Sequence, residues 1–271
     1  MNLHEYQAKA LMKAYGMPVP EHQVVSTPAQ ARAAAELLGA DKVVVKAQVH
    51  GGGRGRAGGV RLVDTPREAE EHAQDLLGTR LVTNHTNALG QPVNLVSVER
   101  ICDIAAELFL GMFINDSGNE AVIIASRDGG TDIETVAART PEKIHSVAVD
   151  LRTGLLAAQI HQLTEGLGLS ANQAGQFEDL LAKLYRLFVD KDLTLVEISP
   201  LVINTAGELV CLDARIHIDG DALDRHQDLF AMRDVSQTDF SAVREQRRQS
   251  LQSACKRACA HAFASRTRER D

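Results

Sequence analysis

The stretch KVVVKAQVHGGGRGRAGGVRLV, residues 42–63, decides how this chain is read. Val43, Val44 and Val45 form a β-branched run suited to a pleated, buried surface, and Lys46 closes that run beside a loop. The loop holds Gly51, Gly52, Gly53, Gly55, Gly58 and Gly59, with Arg54 and Arg56 between them. Glycines let backbone N–H groups close on an anion, and Lys46 would add a point charge to the same phosphates. Gly53-x-Gly55-x-x-Gly58 matches a dinucleotide fingerprint, but that reading needs a helix next, and Val60-Arg61-Leu62-Val63 is strand-like. The chain has no Gly-Lys pair, so the phosphate loop built on Gly-Lys-Ser/Thr is excluded. What remains is strand, glycine loop, strand: a flap over phosphates, or, from the loop alone, a mobile basic hairpin.

Upstream, residues 3–15 have the apolar spacing of an amphipathic helix, with Asn2 and Glu5 expected to cap it and Gly16 to stop it. Gln23-Val24-Val25 is a short strand. Thr27-Pro28 and Thr65-Pro66-Arg67-Glu68 each open a helix in cap-then-proline order. Downstream, residues 93–99, 104–114 and 120–126 read as strands, with a hairpin turn at Asp116-Ser117-Gly118-Asn119 and a glycine turn at Asp128-Gly129-Gly130. Residues 154–168 and 172–188 are helical in pattern. Strands at Leu193–Ile198 and Leu209–Leu212 flank a turn at Asn204-Thr205-Ala206-Gly207.

Composition bounds the function. The 271 residues carry a net charge of -7, which gives no general affinity for nucleic acid. No apolar run approaches the roughly 20 residues that span a bilayer, and the N-terminus has no hydrophobic signal core, which argues against export and for the cytoplasm. Cys102, Cys211, Cys255 and Cys259 are scattered, as in a reducing compartment. From 240 onward, eight Lys and Arg oppose three Asp and Glu; the apolar residues Val243, Leu251, Ala254, Cys255, Ala258 and Ala262 suit a basic helix, and a solvated or frayed tail is expected.

Candidate chemistry lies at strand ends. Glu99 and Glu107 fit ribose hydroxyls or, singly, ordinary surface positions. Glu197 and Ser199 are i, i+2 in a strand and share a face, and Asp213 ends another strand. Such an oxygen set suits Mg²⁺ with phosphate and water, or else is a solvated strand end.

Together, MNLHEYQAKALMKAYGMPVP, VVVKAQVHGGGRGRAGGV, LGTRLVTNHT and EISPLVINTAGELVCLDAR resemble the β subunit of succinate–CoA ligases over about residues 1–239. The resemblance implies an α+β, ATP-grasp fold in which two subdomains enclose a nucleotide. Residues 1–20 plus 103–239 would form one subdomain, 21–102 the inserted flap-bearing one, and 240–271 a divergent basic tail. By the same resemblance, Lys46 and Gly53-Arg54-Gly55 bind phosphates of ATP or GTP. Glu99 and the Cys102 backbone meet the base, and Glu107 meets the ribose. Ser199 and Asp213 hold Mg²⁺, and Glu197 faces a phosphohistidine of a partner α-type subunit. CoA and succinate would be engaged through that hetero-oligomer, with no nucleic acid or membrane partner.

Three departures stand out. Ser199 replaces the family's Asn, Asp213-Ala214-Arg215 replaces Asp-Gly-Lys, and the family's further carboxyl-terminal domain has no counterpart after residue 239. They leave open a shortened paralogue that binds nucleotide or an α-like partner without turnover, expected to make no succinyl-CoA alone. A malate–CoA ligase type of β subunit stays open as well.

Overall fold

The computed structural model describes residues 1–115, 120–237 and 251–256. In chain order come α1 (Glu5–Ala14), β1 (His22–Val25), α2 (Pro28–Leu38), β2 (Val43–Ala47), β3 (Val60–Val63), α3 (Pro66–Leu76), β4 (Arg80–Leu81), β5 (Gln91–Pro92) and β6 (Val96–Arg100). They are followed by β7 (Ile104–Ile114), β8 (Glu120–Ser126), α4 (Ile133–Arg139), β9 (Ile144–Asp150), α5 (Ala157–Gly166), α6 (Ala171–Asp190), β10 (Leu193–Asn204), β11 (Leu209–Cys211), β12 (Ala214–Ile218) and α7 (Gln227–Phe230).

The first sheet is antiparallel, in the order β1-β6-β2-β3. Its two helices start as their caps dictate. Thr27 Oγ1 accepts from the Gln30 N–H at 3.3 Å and Thr65 Oγ1 from the Glu68 N–H at 3.2 Å, each ahead of a proline. Strand alternation then divides the side chains. Val43, Val45 and Ala47 of β2 and Val96 and Val98 of β6 pack with Ala31, Ala34, Ala69 and Ala73 of the helices. Each fully buried valine there contributes about 1.5–3 kcal/mol. Lys46 and Glu99 belong to the alternate parity and point away from this core, towards α1.

The second sheet is also antiparallel, in the order β11-β10-β7-β8-β9, with β12 paired to β10 in line with β11. On one face Leu108, Leu110, Met112, Val196 and Ile198 pack against Met12, Leu180 and Leu184 of α1 and α6. On the other, Phe109, Phe113 and Leu195 pack against Ile133 and Val136 of α4. Glu107 is two residues from Phe109 and Glu197 two from Leu195, so both carboxylates share the second face. Among the described residues no helix is long and apolar enough to cross a membrane.

Several expectations change. Asn2 bridges to His217 and the Leu3 N–H donates to Ile216, so the first residues extend the sheet at β12 instead of capping α1. Gln7 takes the capping role, its Oε1 accepting from the His4 N–H at 3.0 Å, while Glu5 turns inward to buried cations. β10 continues past Pro200 to Asn204, because Leu201, Val202 and Ile203 still pair with both β7 and β11. Sequence periodicity does not assign α4, β9 or β12. The tail is not wholly solvated: residues 251–256 are helical, and Leu251 and Ala254 are buried with Phe109 and Phe113. That face of the sheet offers apolar rings to cover, which outweighs the basic character of the segment. The other residues of that tail up to 250 and from 257, and the turn at 116–119, lie outside the described residues.

Candidate functional site

A cleft of about 360 Å³ opens between the glycine loop and the second sheet. The loop supplies Gly52, Gly53, Arg54 and Gly55; the sheet supplies Glu107, Glu197, Ser199, Asp213 and Arg215. The loop folds as a tight turn. The Ala57 and Gly59 N–H groups donate to the Arg54 carbonyl at 3.1 and 2.8 Å, and Gly53 and Gly58 hold positive φ, which favours residues without Cβ.

Arg54 points inward and is buried. Its Nη1 donates to the Ala47 carbonyl at 2.9 Å, and its Nη2 reaches Asp213 Oδ2 at 2.7 Å and Glu5 Oε2. Behind it Lys46 donates to Glu99 Oε1 at 2.8 Å, Glu5 Oε1 at 3.1 Å and the Leu212 carbonyl at 3.2 Å. Lys9 completes the cluster, pairing with Glu5 at 2.7 Å and with Glu99. Lys9, Lys46 and Arg54 thus neutralise Glu5, Glu99 and Asp213. Burial alone would raise the Glu5 carboxyl, but Arg54, Lys46 and Lys9 hold it well below the usual carboxylate range. Burial alone would lower Lys46 and Arg54, but the facing carboxylates raise both above their ordinary values.

The glycine turn after β8 shapes the opposite wall. A Cβ on Gly129 would lie 2.2 Å from the Leu108 backbone, and one on Gly130 would lie 2.2 Å from Glu107 Oε2. The turn therefore lies directly on β7 and places Glu107 at the cleft. Ser199 Oγ donates to the Gly129 carbonyl at 3.4 Å, and the Ser199 N–H donates to the Asp213 carbonyl at 3.1 Å. Arg215 pairs with Glu197 Oε2 at 3.5 Å.

Gly53, Arg54, Gly55, Glu107, Glu197, Ser199 and Asp213 are thus brought together on one cleft. Lys46 and Glu99 do not line it. They lie beneath it, 6% and 1% exposed, because each satisfies the other's buried charge. Cys102 follows β6, half-buried and off the cleft, its thiol raised first by burial and then by nearby carboxylates. His50 sits at the loop's start, its ring 4.5 Å from that of His4, and its N–H donates to Gln237 Oε1 at 3.2 Å.

Sequence reading gave no site role to Glu5 or to Arg215. Glu5 carried a signal: it is i, i+4 to Lys9 and falls on the stripe of Ala8 and Met12, which marks a buried pair instead of a cap.

Comparison with known proteins fits this geometry. Residues 2–203 match the family model described as the ATP-grasp domain. The chain is 52% identical over 240 residues to the succinate–CoA ligase [ADP-forming] subunit beta of Coxiella burnetii, covering 88% of this chain and 62% of that relative. The subunit of the same name from Thioalkalivibrio sulfidiphilus is 50% identical over 244 residues, covering 90% and 63%. The chain therefore spans less than two thirds of the length of these curated relatives. In fold it is similar to ATP citrate lyase of Methanothrix soehngenii, with TM-score 0.64 and 18% identity over 89% of this chain and 57% of that one. A dinucleotide-forming acetyl-coenzyme A synthetase of Ca. Korarchaeum cryptofilum gives TM-score 0.54 and 16% identity over 80% and 93%. A glycine loop facing a carboxylate-bearing sheet, together with the matched domain, establishes that this chain belongs to the ATP-grasp family.

Proposed function

We propose that this chain is the nucleotide-binding part of a succinate–CoA ligase β-type subunit. It would couple a nucleoside triphosphate to phosphorylation of a histidine on a partner α-type subunit, and so to succinyl-CoA formation. The observation that carries this reading is the cleft itself, with the loop of Gly53-Arg54-Gly55 on one side and Glu107, Glu197, Ser199 and Asp213 on the other. The similarity to succinate–CoA ligase β subunits supplies the substrate class.

Within the cleft the loop's N–H groups would meet the phosphates, and Glu107 the ribose. Arg54, Lys46 and Glu99 keep their proposed nucleotide roles only if the buried cluster rearranges when nucleotide enters, and the Cys102 backbone, after β6 and off the cleft, would meet the base only then. The donors present suit Mg²⁺. Asp213 is partly exposed beside Ser199, and among the described residues no three His, Cys, Asp or Glu side chains gather as a full ligand cage. Mg²⁺ commonly takes one or two carboxylates and completes its octahedron with phosphate oxygens and water. When bound, the ion would neutralise charge on the phosphates and orient them. Glu197 would stand on the cleft wall to receive the partner's histidine.

Thermal unfolding with ATP, ADP and GTP, each with and without Mg²⁺, tests the reading. A ligand selective for the folded state at 100 times its Kd stabilises by about 2.7 kcal/mol. Stabilisation that needs Mg²⁺ supports the proposal; no shift at millimolar nucleotide refutes it.

A further inference from the structure

We infer that Arg215 is a phosphate-binding residue of this cleft and the latch that joins the glycine loop to Glu197; this rests on the proposed nucleotide reading. Arg215 lies on β12 directly opposite Glu197 of β10 in the antiparallel register. Cross-strand partners put their side chains on the same face, so the guanidinium and the carboxylate meet by construction. The Arg215 Nη1–Glu197 Oε2 separation of 3.5 Å is longer than the 2.7 Å between Arg54 and Asp213. The other arm of the fork is turned to the loop: a Cβ built on Gly52 would fall 1.8 Å from Arg215 Nη2 and 3.1 Å from its Cζ. One planar group therefore touches both walls of the cleft, the catalytic-side carboxylate and the loop backbone.

The chemistry follows from that placement. Arg54 and Lys46 are buried and directed at Glu5, Glu99 and Asp213, whereas Arg215 lines the open space with its side chain 22% exposed. Arg56 reaches the mouth of the cleft, but it is 66% exposed and pairs with Asp132. A polyphosphate entering between loop and sheet meets the Arg215 fork, whose geometry matches two phosphate oxygens. The ligand class is the di- or triphosphate end of a nucleotide, not its base. By packing against Gly52, Arg215 also ties the position of the loop to the orientation of Glu197. A lysine keeps the charge and loses the fork, so it serves only one of the two contacts.

The test compares ATP and AMP binding, by titration calorimetry on the full chain, in wild type, Arg215→Ala, Arg215→Lys and Gly52→Ala. Gly52 lacks positive φ and its added methyl meets the far end of a flexible side chain, so Gly52→Ala folds while pushing the guanidinium aside. Unfolding curves establish that each variant is folded. Loss of a charge-assisted contact should weaken ATP roughly 10-fold to 100-fold in Arg215→Ala, and leave AMP within about 2-fold. Arg215→Lys and Gly52→Ala should fall between. If wild type binds ATP and Arg215→Ala binds it equally well, or loses ATP and AMP alike, the inference is overturned and the nucleotide reading stands. If wild type binds neither, the nucleotide reading fails and the inference with it.

Discussion

Arg54 of the glycine loop and Asp213 of the second sheet are joined across the cleft, Nη2 to Oδ2, at 2.7 Å. The same guanidinium pairs with the buried Glu5 and caps the Ala47 carbonyl, so one side chain pins the loop to α1, β2 and the link between β11 and β12. Removing one member of a buried ion cluster leaves charge uncompensated, which costs far more than losing a surface pair. Arg54→Met should therefore lower stability by about 3 kcal/mol. Arg56→Met, on an exposed pair, should leave it nearly unchanged. Urea unfolding of the two variants checks the contrast; equal losses would contradict the buried-cluster account.

The cluster also sets an acid response. Glu5 is held low by Arg54, Lys46 and Lys9, against the upward push of burial. Asp234, pushed up by burial, is drawn down to about 2 by Ser236 and His4. A carboxyl with a depressed folded pKa gives stability that is present above the unfolded pKa and lost as pH falls through the folded one. Stability should thus hold near neutrality and drop from about pH 4 towards pH 2. His4 is lowered by burial despite Asp234, so a further loss begins as pH falls below the ordinary histidine range. Glu5→Gln should start less stable and show a shallower acid decline in a pH series of denaturation midpoints. A slope equal to wild type would assign the acid sensitivity elsewhere.

Glycines of the cleft should divide sharply by what surrounds them. Gly129 lies against the Leu108 backbone, which cannot swing aside, whereas a Cβ on Gly55 would meet nothing within 4 Å. Gly129→Ala should destabilise by at least about 2 kcal/mol through overpacking, and Gly55→Ala by less than about 0.5 kcal/mol. Thermal melts of the two variants decide; a neutral Gly129→Ala would mean that the turn does not rest on β7 as described.

Ser199 stands beside Asp213, its N–H bonded to that residue's carbonyl. Its hydroxyl is one bond nearer the backbone than an asparagine amide oxygen, and Mg²⁺ requires donors at about 2.0–2.1 Å. Ser199→Asn should lower the Mg²⁺ concentration needed for half-maximal nucleotide binding by about 2-fold to 5-fold. Unchanged or weaker magnesium dependence would show that Ser199 is not a ligand position.

Period and sequence distance decide which features of the fold and cleft are legible in the sequence. Two-residue alternation was enough to put Glu197 with Ser199 on one face, and the run of valines before the glycine loop was enough for β2 and its turn. The inward pairing of Lys46 with Glu5 and Glu99 was not legible, since those residues are 41 and 53 positions away and no local pattern links them. Their burial comes from α1, which packs on the second sheet and turns Glu5 and Lys9 towards the first. Arg215 was hidden for a related reason. Its value comes from lying opposite Glu197 in the β10–β12 register, and β12 is a short strand of five residues that carries little period of its own.

Hydrogen exchange of the full chain with and without Mg-ADP tests the central claim most directly, because it reports where a nucleotide sits and not only whether one binds. The account predicts slowed exchange in the loop 51–59 and in strand segments around 107, 197–199 and 213–215, with little change in α5 and the outer turns of α6. Protection confined to other segments, or none at saturating Mg-ADP, would contradict a nucleotide site between the glycine loop and the second sheet.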